Sequence, residues 1–201
     1  MSPSDAHAPV RVLAVCTGNI CRSPAVERLL ALGLGAAYPG GQGGGLAPAV
    51  VVASAGTGAL VGSPIAPPMA ALLREHGAVT DGFVARRLTP AMVAEADLVL
   101  ALTRRHRAAA VELVPSAVRR AFTLREFARL VTAVDPAQLP GADSTTADRL
   151  AALVPAAAAA RGFPAGDDDV VDPYGGSAAL YRRSFDQLAP AVRAIVAAAR
   201  R

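Results

Sequence analysis

Residues 10–24 constrain this chain more than any other stretch. They open on an apolar, β-branched run over residues 10–15. They continue through Cys16, Thr17, Gly18, Asn19, Ile20, Cys21 and Arg22, and turn amphipathic at Ser23 and Pro24. An apolar run that halts at a glycine-containing turn and gives way to helical periodicity reads as strand, loop and helix. Ser23 is placed to cap that helix and Pro24 suits its first position, with Val26, Leu29 and Leu30 recurring on one face. The loop therefore ends at a helix N-terminus, where unpaired amides and the helix dipole favour an anion.

Further short apolar runs at residues 50–53 and 98–102, and a weaker one at 121–124, suit buried parallel strands. Helical patterns separate or follow them, near residues 67–76, 103–114, 125–134, 145–161 and 177–199. Strands alternating with helices predict an α/β sandwich: a parallel sheet with helices on both faces and ligands at the carboxyl ends of the strands. The length of 201 residues suits a single domain spanning residues 1–201. Residues 33–48, rich in Gly and Ala, and residues 136–168 read as insertions, the first as a surface loop.

The loop itself carries chemistry. Five residues stand between Cys16 and Arg22, enough for the backbone to curl so that successive N–H groups point inward and cradle a phosphate. Gly18 and Asn19 supply the left-handed conformations such a curl needs. Arg22 closes the ring with a planar guanidinium that can hold two phosphate oxygens. The same positive field favours a thiolate at Cys16, poised for in-line attack on phosphorus, and Ser23 can donate a hydrogen bond to the sulfur. Cys21 either packs beneath the loop or forms a reversible disulfide with Cys16.

Several function classes recede. The longest mid-chain apolar run, residues 150–160, is closed by Arg149 and Arg161 and is too short to cross a bilayer. The N-terminus lacks a basic start and an apolar core, so no secretory signal is expected and the cytoplasm is the predicted compartment. Every one of the 20 basic residues is Arg, against 16 acidic ones, a mild preference for anionic substrates. Arg104, Arg105 and Arg107 carry no interleaved aromatics, which points to a solvated helix face rather than a nucleic-acid surface. His7, His76 and His106 lack metal-ligand spacing and read as structural or exposed.

On residues 15–24 the chain resembles the low-molecular-weight protein tyrosine phosphatases. The likeness extends to Ser54, Ala55, Gly56, Thr57 and Gly58, to residues 85–89, and to Asp172, Pro173, Tyr174 and Gly175 before the last helix. The resemblance implies a flavodoxin-like, three-layer α/β/α sandwich around a four-stranded parallel sheet. It implies cofactor-free and metal-free hydrolysis of phosphotyrosine in a protein substrate through a phosphocysteine, with inorganic phosphate as product and no nucleic-acid or membrane partner. Cys16 is then the nucleophile, residues Thr17, Gly18, Asn19, Ile20, Cys21, Arg22 and Ser23 bind phosphate, and Asp172 is the general acid and later the base. Asp135 with Pro136 is a rival pair, read as a turn at a helix end. Asp167, Asp168 and Asp169 read as a solvated run. Tyr174 is similar to one aromatic wall of the substrate entrance, while Leu60 stands where a second aromatic is common. Ile20 stands where protein-arginine phosphatases tend to carry Thr, which favours tyrosine. Phe83 replaces a histidine that often supports the loop asparagine. Two alternatives stay open: an arsenate reductase served by a small external thiol, and an inactive phosphate-binding module.

Overall fold

The computed structural model describes residues 8–41, 48–141, 143–161 and 166–200. Four strands, β1 (Val10–Cys16), β2 (Val50–Gly56), β3 (Leu98–Ala101) and β4 (Ala121–Thr123), form one sheet in the order β2-β1-β3-β4. All three pairings are parallel. The chain passes from β1 to β2 on one side and then jumps back across β1 to β3, so the connections diverge at the carboxyl end of β1. That divergence opens a crevice where ligands gather in folds of this kind.

The helices are α1 (Arg22–Leu34), α2 (Pro67–Glu75), α3 (Pro90–Glu95), α4 (Arg104–Leu113), α5 (Leu124–Ala133), α6 (Thr146–Ala159) and α7 (Ala178–Arg200). Side chains alternate across the strands. Val12, Ala14, Leu98, Leu100 and Phe122 face a large core completed by α1, α2, α5, α6 and α7. Leu13, Val15, Ala55, Val99 and Ala121 face a smaller, alanine-rich core under α3 and α4. The predicted three-layer arrangement is the observed one.

Several boundaries differ from the sequence reading. Helix α1 begins at Arg22, and Ser23 does not cap it, because the Ser23 hydroxyl is engaged by Asn19 and Cys16. Helix α3 went unpredicted: Thr89 accepts the Met92 N–H and Pro90 occupies the first position, but six residues are too few to display a period. Within residues 33–48, Ala37 pairs with the outer edge of β2, through Ala37 N–H to Val50 O (3.1 Å) and Val52 N–H to Ala37 O (2.8 Å). Residues 42–47 of that glycine-rich stretch lie outside the described residues. Helix α6, within residues 136–168, sends Leu150, Leu153, Val154 and Ala157 into the larger core. Among the described residues no helix is long and apolar enough to cross a membrane.

Candidate active site

The loop leaving β1 is shaped by what its carbonyls do. Those of Cys16, Thr17, Gly18 and Ile20 accept the N–H groups of Thr57, Gly58, Leu60 and Ala66 at 3.0, 3.0, 3.0 and 2.7 Å. With the carbonyls turned toward residues 57–66, the amides of residues 17–21 have no acceptor among the described residues. The loop curls around a cavity of about 130 Å³, and a run of unpaired amides in such a curl is a nest for an anion. The close approach depends on Gly56, where a Cβ would lie 2.3 Å from the Thr17 carbonyl oxygen.

Asn19 locks the curl. It is fully buried, and its φ of 53° is the one positive value among the described non-glycine residues. Its Oδ1 accepts the Arg86 N–H (2.8 Å), which leaves Nδ2 to donate to Ser23 Oγ and Ser54 Oγ, both at 2.9 Å. Ser54 in turn donates a hydrogen bond to Glu27 Oε2 (2.7 Å). Ser23, already accepting from Asn19, has two neighbours for its own proton, Cys16 Sγ at 3.0 Å and the Ala55 carbonyl at 3.5 Å, and the sulfur is the nearer. One branch from Asn19 thus leads through Ser23 to the sulfur, and the other leads through Ser54 to Glu27. Glu27 is fully buried between Arg28 (3.4 Å) and Arg86 (3.6 Å). Burial pushes its carboxyl up, against the Ser54 hydrogen bond and the two guanidiniums. Phe83 packs under this pair of arginines, 5.6 Å from Arg28 and 6.0 Å from Arg86.

Arg22 sits at the cavity with 4% of its side chain exposed. One guanidinium nitrogen donates to the Val170 carbonyl (3.1 Å) and another pairs with Asp172 Oδ2 (2.6 Å). Its buried Nε has no partner among the described residues. Asp172 lines the same cavity as Cys16 and is half exposed. Asp135, the rival acid, accepts Ala137 N–H at a helical turn and lines no part of this cavity.

The acidic run before Asp172 is not simply solvated. Asp168 is buried against Arg129 (3.3 Å) and near Arg104 (4.0 Å), and Asp169 accepts the Arg104 N–H (2.8 Å). Arg125 holds the Asp169 carbonyl (3.2 Å), and Val170 N–H joins Leu102 O (2.9 Å) at the end of β3. These contacts fix the segment that delivers Asp172. Of the arginine cluster, Arg104 and Arg105 are both exposed, Arg104 meeting this segment through its backbone N–H, while Arg107 is half-buried and donates to the Ala121 carbonyl (2.8 Å).

Leu60 and Tyr174 stand at the cavity mouth, 42% and 65% exposed. Ile20 and Cys21 line its wall and are buried. Burial pushes the Cys21 thiol up to about 11, with Tyr181 Oη 3.6 Å away, so it stays protonated at neutral pH. Both cysteines are free thiols. His106, read from the sequence as isolated, is 5% exposed and bridges the loop to α4: its Nε2 lies 2.8 Å from Thr17 Oγ1. Thr103 followed by an Arg-rich helix start was the available signal, but sequence distance hid the contact. His76 packs on Phe185 away from the cavity, and His7 lies outside the described residues. Among the described residues no three His, Cys, Asp or Glu side chains gather as a metal site.

Residues 11–140 match the family model described as low molecular weight phosphotyrosine protein phosphatase; Asp172 falls outside that match. The Wzb protein-tyrosine-phosphatase of Salmonella typhi is 36% identical over 105 residues, covering 52% of this chain and 62% of that relative, so the chain spans under two thirds of it. The low molecular weight protein-tyrosine phosphatase A of Mycobacterium bovis is 39% identical over 133 residues, 64% of this chain and 76% of that relative. Among solved structures, the YwlE arginine phosphatase of Geobacillus stearothermophilus superposes with a TM-score of 0.64 at 28% identity, covering 94% of this chain and 92% of that one. With most of its length under the family model and its amide-lined loop closed by Arg22, this chain belongs to the low molecular weight phosphotyrosine protein phosphatase family.

Proposed function

We propose that this protein hydrolyses phosphotyrosine in protein substrates through a phosphocysteine on Cys16, releasing inorganic phosphate, without a metal or cofactor and within the cytoplasm. The observation that carries this reading is convergence on one cavity: the unpaired loop amides, the Cys16 sulfur with the Ser23 hydroxyl at 3.0 Å, the Arg22 guanidinium and the Asp172 carboxyl. In the first step the sulfur–phosphorus bond forms as the phosphorus–oxygen bond to the phenol breaks, and Asp172 gives its proton to the departing oxygen. In the second, water attacks phosphorus, the sulfur–phosphorus bond breaks, and the Asp172 carboxylate takes the water proton. Ser23 donates to the thiolate in both its arriving and leaving roles. Arg22 and the amides hold the equatorial oxygens, where charge spreads in the transition state.

Binding phosphate requires Arg22 to exchange Asp172 for a phosphoryl oxygen, since both claim the same guanidinium. Asp172→Ala should slow turnover about 10²-fold or more for poor leaving groups and far less for p-nitrophenol, while inorganic phosphate inhibits the variant more tightly than the native enzyme. Cys16→Ser should abolish turnover of every aryl phosphate; near-native turnover by that variant sinks the mechanism. The substrate class is tested by phosphotyrosine, phosphoserine and phosphoarginine peptides assayed on native and Cys16→Ser protein. The buried Ile20 wall, Leu60 and Tyr174 support the aromatic ester, and faster release from phosphoarginine would reverse that choice.

A further inference from the structure

We propose that His106 is a positioning residue that turns the Thr17 hydroxyl into a hydrogen-bond donor to the phosphoryl group held by the loop. The inference rests on reading the cavity as the phosphoryl-transfer site, and goes beyond it by assigning a role to a side chain outside the loop.

The argument is one of proton accounting. His106 lies in the first turn of α4, and its ring touches two hydroxyls: Nδ1 is 2.9 Å from Thr103 Oγ1, and Nε2 is 2.8 Å from Thr17 Oγ1. Thr103 is the N-cap of α4, and its oxygen already accepts the His106 backbone N–H (3.2 Å). Its one proton has Nδ1 as the acceptor at hand. A ring that accepts at Nδ1 and is neutral carries its proton on Nε2. Nε2–H then donates to Thr17 Oγ1, which occupies a lone pair there and leaves the Thr17 proton uncommitted among the described residues. Thr17 is exposed and lines the cavity beside Cys16 and Arg22, where a phosphoryl oxygen is the acceptor the proposed chemistry supplies.

The ring is kept neutral by its surroundings. Burial first, and then the nearby Arg22 guanidinium, bring His106 down to about 4; Arg105 acts in the same direction, while Asp172 and Asp169 oppose it. An imidazolium would have to donate from both nitrogens, and Thr103 could no longer give its proton to the ring. The Thr103 cap and the Thr17 hydroxyl are thus read by one side chain in one tautomer.

The test is a coupled set of variants. A hydroxyl donor to a charged oxygen is worth ~1.5–3 kcal/mol, so Thr17→Val should weaken inorganic phosphate binding, read by calorimetry, by about tenfold or more. His106→Leu should produce a similar loss, and Thr17→Val/His106→Leu no further loss, because both remove the same donor. His106→Gln, whose amide can donate from nearly the position of Nε2, should recover most of the loss. Additive losses in the double variant, or equal losses in His106→Leu and His106→Gln, overturn the proposal and leave His106 as packing alone. If His106→Leu fails to fold, undiminished phosphate binding by Thr17→Val is by itself sufficient to overturn it. Because the readout is phosphate binding, it is independent of turnover; inactive native enzyme with the same binding pattern would sink the hydrolase reading and keep this one.

Discussion

Asn19 shows how much of the site rests on one side chain. It holds a left-handed backbone that few residues other than glycine tolerate, and its amide is spent in both directions, accepting from Arg86 and donating to Ser23 and Ser54. Asn19→Gly keeps the backbone freedom and loses the amide bonds; Asn19→Ala loses both. We expect Asn19→Ala to be less stable than Asn19→Gly by ~1 kcal/mol, and both to lower kcat/KM about tenfold or more, since Ser23 is no longer oriented toward Cys16. Equal stability of the two variants in urea denaturation would contradict this division. A pH prediction belongs to the same scale. The folded His106 stays neutral down to about 4, whereas in the unfolded chain it takes a proton below ~6.5. The unfolded state therefore binds more protons between those values, and stability falls as pH drops through that window. Native protein should lose up to ~2 kcal/mol between pH 7 and pH 5 from this group, a slope that His106→Gln lacks in matched denaturation curves.

At the scale of elements, the segment carrying Asp172 is held by arginines of two helices. Asp168 is buried against Arg129 and near Arg104, and Arg125 holds the next carbonyl. Asp168→Ala should cost ~1–2 kcal/mol, less than a fully buried pair because the arginines are partly exposed. Its kinetic signature should be selective: turnover of poor leaving groups falls several-fold while phosphate affinity is kept or rises, because Asp172 loosens and the loop does not. A uniform loss across a leaving-group series would mean that the loop itself had moved. These elements also mark what the sequence could disclose. The β1, loop and α1 unit was legible because its chemistry is local: the residues that build the nest are consecutive. The role of Asp168 was not, because its partners lie on α4 and α5, and three adjacent aspartates look solvated until those helices are placed. Ser23 misled for a related reason. A serine before Pro24 is a good cap by propensity, but here a tertiary contact with Asn19 and Cys16 takes its hydroxyl and the helix starts two residues earlier, at Arg22.

Across the whole molecule, the two faces of the sheet are unequal, and the inequality assigns work to α6. The face under α3 and α4 is narrow and packed with alanines, whereas the opposite face carries the large side chains and five helices. The reading of residues 136–168 as an insertion followed from their turn-rich start and alanine-rich continuation. Periodicity alone could not say whether Leu150 and Leu153 meet the sheet side or solvent. Both are fully buried in the larger core, and α6 packs against α5 and α7. Burying a leucine beside neighbours that cannot collapse around its loss costs ~2–5 kcal/mol on truncation to alanine. Leu153→Ala should therefore lower the unfolding free energy, read from urea denaturation, by an amount in that range, while kcat/KM at low temperature stays near native, because α6 lines no part of the Cys16 cavity. A cost under ~0.5 kcal/mol, the usual size for a surface position, would mean that α6 is an appended element whose removal leaves the core intact. A large cost would mean that the core depends on a helix that lines no part of the Cys16 cavity.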